Sequence, residues 1–228
     1  MRTNIAPEST SNTMKIVIFG ANGFCGKAIL REALAQHHQV VVLVRNRMSL
    51  SGYEHSNLTI LEGSVMNREM VAAALKDSEA VLQCLGVGGK GTGKPTFFVS
   101  EATQIIVEEM QKQSIPKLIA LSNVGAGNSI DFLPRFFTKI ILPIFMRWLY
   151  EIIVDKNRME PIIAESGLLD WTIVRCPNVV DKPSKGTLRS TLTGKGLGLS
   201  ITLPDMATFV VQQLVVGDYS KKMPSISN

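Results

Sequence analysis

Cysteine and histidine are both scarce in this chain of 228 residues, which contains three of each. The cysteines, Cys25, Cys84 and Cys176, lie far apart, and no CxxC pair or Cys/His ligand spacing occurs. This pattern argues against a zinc site and against a disulfide framework, so we predict no bound metal. Buried free thiols are typical of a reducing compartment, and we therefore expect the protein in the cytoplasm.

The chain also lacks long apolar runs and a strong charge of one sign. Lysine and arginine total 24 and aspartate and glutamate 19, a net charge of +5. So small an excess, without a basic stripe, fits an anionic small molecule and argues against a nucleic-acid partner. The most apolar stretch, 140–154, is interrupted by Pro143, Arg147 and Glu151 and falls short of the ~20 apolar residues of a membrane-spanning helix. Residues 1–13 lack the apolar core of a secretory signal, and we expect a flexible leader there.

The rest of the chain, residues 14–228, has the composition of a globular domain, with 45% apolar and 19% charged residues overall. Short apolar runs alternate with helical patterns, regularly as far as residue 122 and less regularly beyond it. Most of the runs are continuous rather than alternating, which is typical of parallel strands buried on both faces. We therefore predict a single α/β domain of the Rossmann type, with a doubly wound, mostly parallel sheet and helices on both faces. A small substrate lobe is expected mainly from 123–165 and 178–203.

The individual elements follow from the same patterns. The predicted strands are Lys15–Phe19, Gln39–Val44, Leu58–Gly63, Glu79–Gly86, Lys117–Ser122, Asp170–Arg175 and Ser200–Leu203. The predicted helices are Gly26–Gln36, Arg68–Lys76, Thr96–Gln113, one or two between Ile130 and Glu165, and a last helix that Thr202 caps.

Three glycines, Gly20, Gly23 and Gly26, lie between the strand KIVIF and the helix that follows it. Glycines at such positions allow a tight turn, a close approach of the backbone to a pyrophosphate, and close packing of the helix on the sheet. The N-terminus of the helix then offers free N–H groups and the positive end of its dipole to phosphate. This stretch therefore predicts a dinucleotide-binding loop.

The second strand ends in VLVRNR. An NAD-specific site places a carboxylate at this strand end to bind the ribose hydroxyls. This stretch contains Arg45 and Arg47 instead, and no carboxylate. A guanidinium pairs well with a 2′-phosphate and stacks on an adenine ring. We predict NADP(H) in preference to NAD(H), with a solvated loop as the alternative role for the arginines.

The glycine spacing and the order of several further motifs resemble a known family. They are similar to the atypical short-chain dehydrogenases/reductases called NmrA-like, and within these to the biliverdin-IXβ reductase-like and NADPH-flavin reductase-like members. The resemblance covers nearly the whole chain after Thr13. It rests on GANGFCG, VLVRNR, LEGSV, CLG, LSNVGA, ESGLLDWTIVRCPNVVD and ITLPDMATFVVQQL.

The resemblance implies a set of contacts along the whole cofactor. They are Asn22, Gly23, Phe24, Cys25 and Gly26 at the pyrophosphate, Ser64 and Val65 at the adenine, Leu85, Gly86 and Val87 along the ribose and nicotinamide side, and Ser122, Lys156, Pro177, Asn178 and Val179 around the nicotinamide ribose and ring. The family usually has aspartate where Ser64 stands. Asn178 matches a histidine of the biliverdin-IXβ reductases and is therefore also a candidate substrate contact.

Ordinary short-chain dehydrogenases use a Tyr-x-x-x-Lys pair, in which the tyrosine is the general acid or base. By the resemblance Lys156 is the matching lysine, but Ile152 stands four residues before it, and Tyr150 lies on a different helical face. Without this pair, a planar conjugated acceptor such as a flavin, quinone or tetrapyrrole is favoured, because solvent can supply its proton. Ser122 and Lys156 are the candidate catalytic residues. Their alternatives are a strand-end serine that completes a turn and an exposed helix lysine.

The segment FLPRFFTKIILPIFMRWLY, residues 132–150, is rich in large apolar side chains. Phe132, Phe136 and Trp148 are its candidate acceptor contacts. A core helix, a dimer face and a membrane-surface patch are the alternatives for this segment. We expect a small-molecule substrate and either a monomer or a homodimer.

Two other functions remain open from the sequence. A non-catalytic NADP(H)-binding regulator of the NmrA type is compatible with the missing tyrosine. A sugar-nucleotide epimerase or dehydratase is disfavoured, because it needs that tyrosine and a larger substrate domain. A minor further hypothesis is redox sensing by Cys25, since a helix N-terminus lowers the pKa of a thiol.

Overall fold

The computed structural model describes residues 2–4, 13–88 and 91–228, the first three by their backbone alone. The strands are β1 Arg2–Asn4, β2 Lys15–Phe19, β3 Gln39–Val44, β4 Leu58–Glu62, β5 Ala80–Gln83, β6 Lys117–Asn123, β7 Asp170–Cys176, β8 Asn178–Val180, β9 Thr187–Thr191, β10 Ser200–Thr202 and β11 Ser225–Ser227. The α-helices are α1 Phe24–Ala35, α2 Arg68–Leu75, α3 Phe98–Lys112, α4 Arg147–Ala164 and α5 Leu203–Gln212.

The main sheet has nine strands in the order β1-β9-β11-β7-β6-β5-β2-β3-β4. Every neighbouring pair from β4 to β11 is parallel, and only β9 and β1 run antiparallel to their neighbours. A small second sheet pairs β8 with β10. The predicted α/β fold with a doubly wound, mostly parallel sheet is confirmed.

The central strands are apolar on both faces because helices cover both. In β2, Ile16 and Ile18 pack into one core with α1 and α5. Val17 and Phe19 pack into the opposite core with α2, α3 and α4. Alternate residues of a strand point to opposite faces, so a continuous apolar run is what a sheet covered on both sides requires.

The stretch in which one or two helices were predicted, between Ile130 and Glu165, is less regular than that prediction. The chain there forms a 3₁₀ segment that already begins at Gly127 and ends at Phe132, a π-helix at Phe137–Phe145 and then α4. The π-helix contains Pro143, whose missing N–H removes one helical hydrogen bond.

The late strands β8, β9 and β11 have no counterpart among the predicted strands, because β8 and β11 have three residues each and β9, TLRST, contains a single apolar residue. One of them, β9, joins the main sheet although it lies inside 178–203, the range predicted for the substrate lobe. In the predicted leader 1–13, residues 2–4 pair with β9 as β1, whereas residues 1 and 5–12 lie outside the described residues.

Candidate active site

The order of the sheet reverses between β2 and β5, and ligands of open α/β sheets bind in the crevice at the carboxyl ends of such strands. Gly20 leaves β2 at this point with φ of +86°, and a Cβ there would lie 2.7 Å from the carbonyl oxygen of Cys84. A Cβ at Gly26 would overlap the carbonyl oxygen of Gly20. Both positions therefore require glycine, and together they bring the start of α1 against the end of β2.

The N-terminus of α1 is open. Gly23 is its N-cap, no side chain caps its first N–H groups, and its first turn contains no acidic residue. Gly23 and Phe24 are exposed, whereas Asn22 and Cys25 are half-buried. Free N–H groups and the positive end of the helix dipole therefore face the crevice, an arrangement that fits the pyrophosphate of a dinucleotide.

The ends of β3 and β4 form the side of the crevice where the adenine ribose is expected. Arg45 and Arg47 are exposed, and within 13–88 and 91–228 neither side chain has a hydrogen bond or an ion pair. The backbone N–H of Arg47 donates to Glu62 Oε2 at 3.1 Å. The end of β3 contains no carboxylate in its own sequence. The sheet nevertheless places the Glu62 carboxylate beside it, because Glu62 of β4 pairs with Val44 of β3.

The other predicted adenine and nicotinamide contacts lie along the same edge of the sheet. The Ser64 hydroxyl accepts a hydrogen bond from the Met66 N–H at 3.2 Å, and Val65 is buried. Gly86 is exposed beyond β5 and Val87 is half-buried. Residues 177–179 lead into the small sheet with Asn178 exposed. These placements leave the predicted contacts as predictions, since each depends on a bound cofactor.

Lys156 is buried on α4, so the alternative of an exposed helix lysine is wrong. Its Nζ donates to the carbonyl oxygens of Leu85 at 3.1 Å and Leu121 at 2.7 Å. Burial lowers the pKa of Lys156 to about 8. The ammonium thus ties α4 to the carboxyl ends of β5 and β6 directly beneath the crevice.

Ser122 is also engaged, in a buried polar cluster that sequence reasoning missed. Its Oγ donates to Glu160 Oε1 at 2.7 Å. The Arg175 guanidinium donates to both carboxylate oxygens of Glu160, from Nε at 3.0 Å and from Nη2 at 2.6 Å. Arg175 Nη1 reaches Asn128 Oδ1 at 2.7 Å, which ties the loop after β6 to β7. The sequence did contain one signal for this cluster, the arginine at the end of the predicted buried strand TIVR. A buried guanidinium requires a carboxylate partner, so a buried acidic residue could have been expected.

The three cysteines converge on the same corner of the sheet. Burial raises the pKa of Cys25 to about 11 and raises the pKa of Cys84 and of Cys176 as well, while the nearby Lys156 opposes each shift. The pKa of the Cys25 thiol is raised rather than lowered as its place at a helix N-terminus predicts, because desolvation outweighs the opposing charge of Lys156. A thiol held neutral is a poor redox sensor.

The predicted acceptor contacts lie on three different elements. Phe132 ends the 3₁₀ segment and is half-buried against Gly194. Phe136 is exposed just before the π-helix. Trp148, in the first turn of α4, is half-buried beside the glycines of the β5–α3 loop. The three rings thus lie on different segments of the chain, and their role as acceptor contacts stays a prediction.

Comparison with known proteins agrees with this geometry. The chain is 32% identical over 169 residues to the photosystem II assembly factor Ycf39 of Synechocystis, a match that covers 71% of this chain and 44% of Ycf39. The chain therefore spans less than half the length of that relative.

Among solved structures, the anaerobillin reductase ChuY of Escherichia coli O157:H7 superposes with a TM-score of 0.74 at 19% identity, covering 93% of this chain and 96% of ChuY. A short-chain dehydrogenase/reductase of Veillonella parvula in complex with NADP superposes with a TM-score of 0.75 at 16% identity, covering 94% of each chain. At these identities the likeness establishes the fold. The model of the NAD(P)H-binding family matches residues 20–215, and the chain belongs to that family.

Proposed function

We propose that the protein is an NADPH-dependent oxidoreductase that passes a hydride to a planar conjugated acceptor such as a flavin, a quinone or a tetrapyrrole. One observation carries the proposal. Ser122 and Lys156, the two candidate catalytic side chains, are both occupied by buried protein partners. Neither is free to donate a proton to a developing alkoxide, as reduction of a ketone requires.

The acceptor class follows from this constraint. NADPH supplies a hydride when bound, and a conjugated acceptor delocalises the charge it receives and takes its proton from water. The protein's task is then to hold and orient the two reactants. The open N-terminus of α1 would hold the pyrophosphate, and the small sheet that begins at Asn178 would cover the nicotinamide. Lys156 and the Ser122–Glu160 pair act as positioning residues that fix the strand ends below the ring.

The preference for NADPH rests on the guanidinium groups of Arg45 and Arg47, which are exposed and have no partner among the residues that the structure describes. The open side chain of Arg45 directly follows β3, where a 2′-phosphate is expected. Glu62 offers a carboxylate at the same place, but its Oε2 already accepts from the Arg47 N–H. Two cations against one engaged carboxylate favour the phosphorylated cofactor.

Further support comes from ChuY, whose described activity is anaerobillin reduction and whose fold covers this chain almost completely. The three free cysteines agree with a reducing compartment, and we place the protein in the cytoplasm as a monomer or homodimer.

An NADP(H)-binding regulator without turnover is the second candidate. The same observation supports it, because a site with no free acid or base also fits a protein that only senses the cofactor. An epimerase or dehydratase is a weaker candidate, because Ile152 stands four residues before Lys156 where such enzymes need tyrosine.

The first experiment measures NADPH oxidation by the purified protein with FMN, menadione or biliverdin in excess, with NADH in parallel. Turnover with NADPH and little turnover with NADH is the expected result. Saturable NADPH binding without turnover on any of these acceptors would contradict the reductase and favour the regulator.

The cofactor preference has its own test. We expect Arg45→Asp to weaken NADPH binding about tenfold or more, with NADH binding unchanged or improved. Lys76→Asp is the matched control. It makes the same change in charge at an exposed residue near the amino ends of the strands, away from the crevice. Equal effects of the two variants on NADPH affinity would show that only overall charge matters.

A further inference from the structure

A strip of exposed apolar side chains runs along the π-helix and the residue before it. Phe136, Ile140, Ile144 and Phe145 are 64%, 40%, 65% and 71% exposed, respectively. Side chains four or five positions apart lie above one another in a helix with i→i+5 hydrogen bonds, so these four share one side. Leu142 on the other side is 1% exposed and fixes the helix to the protein. We call the four residues the apolar strip.

Within residues 132–150, the segment that contains the apolar strip, every charged residue is basic, and the exposed Asp131 lies just before it. Between Asp131 and Glu151 the only charged residues are Arg135, Lys139 and Arg147. Arg135 and Lys139 are exposed and each directly precedes a member of the strip. Glu151 is buried, and Arg147 lies 3.7 Å from its carboxylate. The surface therefore combines exposed aromatic and aliphatic groups with a basic border.

We propose that the apolar strip binds the surface of an anionic lipid bilayer. In this arrangement Phe145 and Ile144 enter the boundary between headgroups and acyl chains, while Arg135 and Lys139 contact lipid phosphates. In the part of the chain that the structure describes, no helix is both long and apolar enough to cross a membrane, so the contact is with the surface.

Charge complementarity favours a bilayer over a second copy of this chain. A two-fold symmetric dimer through the apolar strip would place the same patch on both subunits, so the cations Arg135 and Lys139 of one copy would meet a segment whose charged residues are also basic. Like charges across an interface oppose association, whereas anionic headgroups neutralise the same cations.

The test is sedimentation of the full chain with vesicles of phosphatidylcholine alone or mixed with phosphatidylglycerol. We expect binding to the mixed vesicles and weaker binding at high salt. The double change Ile144→Ser and Phe145→Ser should weaken binding about tenfold or more, because two apolar side chains lose their burial. Lys139→Gln should weaken it about fivefold, since a cation near an anionic surface contributes about that factor.

Leu169→Ser is the matched control, since Leu169 is an apolar residue that is 76% exposed outside the apolar strip, just before the amino end of β7. Its binding should equal that of the wild type, and NADPH binding measured for every variant reports the fold separately from the lipid contact. Absence of binding to the mixed vesicles, or an equal loss with Leu169→Ser, would overturn the proposal. A dimer in light scattering that the double variant converts to monomer, without vesicle binding, would show a copy-to-copy interface instead.

Discussion

The two halves of the molecule are held together in different ways. Up to residue 122, the buried side chains of the described residues are mostly apolar, and Glu109 is the only buried side chain among aspartate, glutamate, lysine and arginine. The other buried members of this class all lie after residue 122: Glu151, Asp155, Lys156, Glu160, Arg175 and Asp205. The regular half is stabilised by burial, whereas the irregular half adds directed polar contacts.

Two of these side chains join elements that no strand pairing connects. Asp155 accepts hydrogen bonds from the N–H groups of Val99 and Ser100 and so caps α3 from a neighbouring helix. Glu160 joins α4 to Arg175 of β7. Loops need partners for their polar groups, and a buried carboxylate can satisfy several at once. The half of the chain after residue 122 therefore depends on a few particular side chains more than the half before it does.

The largest expected effect on stability comes from removing one partner of the buried Glu160–Arg175 pair. Glu160→Leu leaves a buried guanidinium without its carboxylate, and we expect a loss of about 3–5 kcal/mol in the free energy of unfolding. Arg175→Met should cost a similar amount, and the double variant less than the sum. Urea unfolding of the three variants measures the coupling, and simple additivity would show that the pair contributes nothing specific.

A change in the glycine loop tests the nucleotide half. Gly26→Ala places a Cβ against the Gly20 carbonyl, and we expect a loss of about 1–3 kcal/mol in stability together with NADPH binding. Gly217→Ala is the control, because no atom lies within 4 Å of the added Cβ. Isothermal titration measures the NADPH affinity of both variants, and thermal unfolding measures their stability. Wild-type NADPH affinity in Gly26→Ala would refute the proposal that the loop from Gly20 to Gly26 binds the dinucleotide.

The smallest expected effect concerns Asp205 at the start of α5. Thr202 occupies the N-cap, but its hydroxyl donates to Asp205 Oδ2 at 2.6 Å instead of capping the helix. Burial alone would raise the pKa of Asp205, but the hydrogen bonds from Ser184, Thr202 and the Lys185 and Gly186 amides hold it below its ordinary value. The stability from this lowered pKa is present above the ordinary value of 3.8 and is lost as the pH falls through the folded-state pKa.

Asp205→Asn should therefore cost about 1–2 kcal/mol at neutral pH, and the difference from the wild type should shrink below pH 4. Unfolding curves across this range provide the measurement. A difference that stays constant with pH would mean that the carboxylate charge contributes nothing.

Much of the regular half was predictable because its signals are local. The strands β2 and β3 match their predicted ranges, since a continuous apolar run ends where the turn residues begin. The loop from Gly20 to Gly26 followed from three glycines between a strand and a helix, which is a pattern within one short stretch. The predicted strand Glu79–Gly86 was too long, because β5 ends at Gln83 where the chain turns into the crevice.

The fold class, the family resemblance and the predicted dinucleotide loop follow from residues close together in the chain, because periodicity and turn chemistry operate between near neighbours. The burial of Lys156, the hydrogen bond between Ser122 and Glu160, and the position of Glu62 beside Arg47 are visible only in the folded chain. Each of these depends on which strand or helix packs next to which, across separations of 15 to 38 residues along the chain. The sequence can indicate that a buried charged side chain needs a partner, but the packing of the elements selects which residue that partner is.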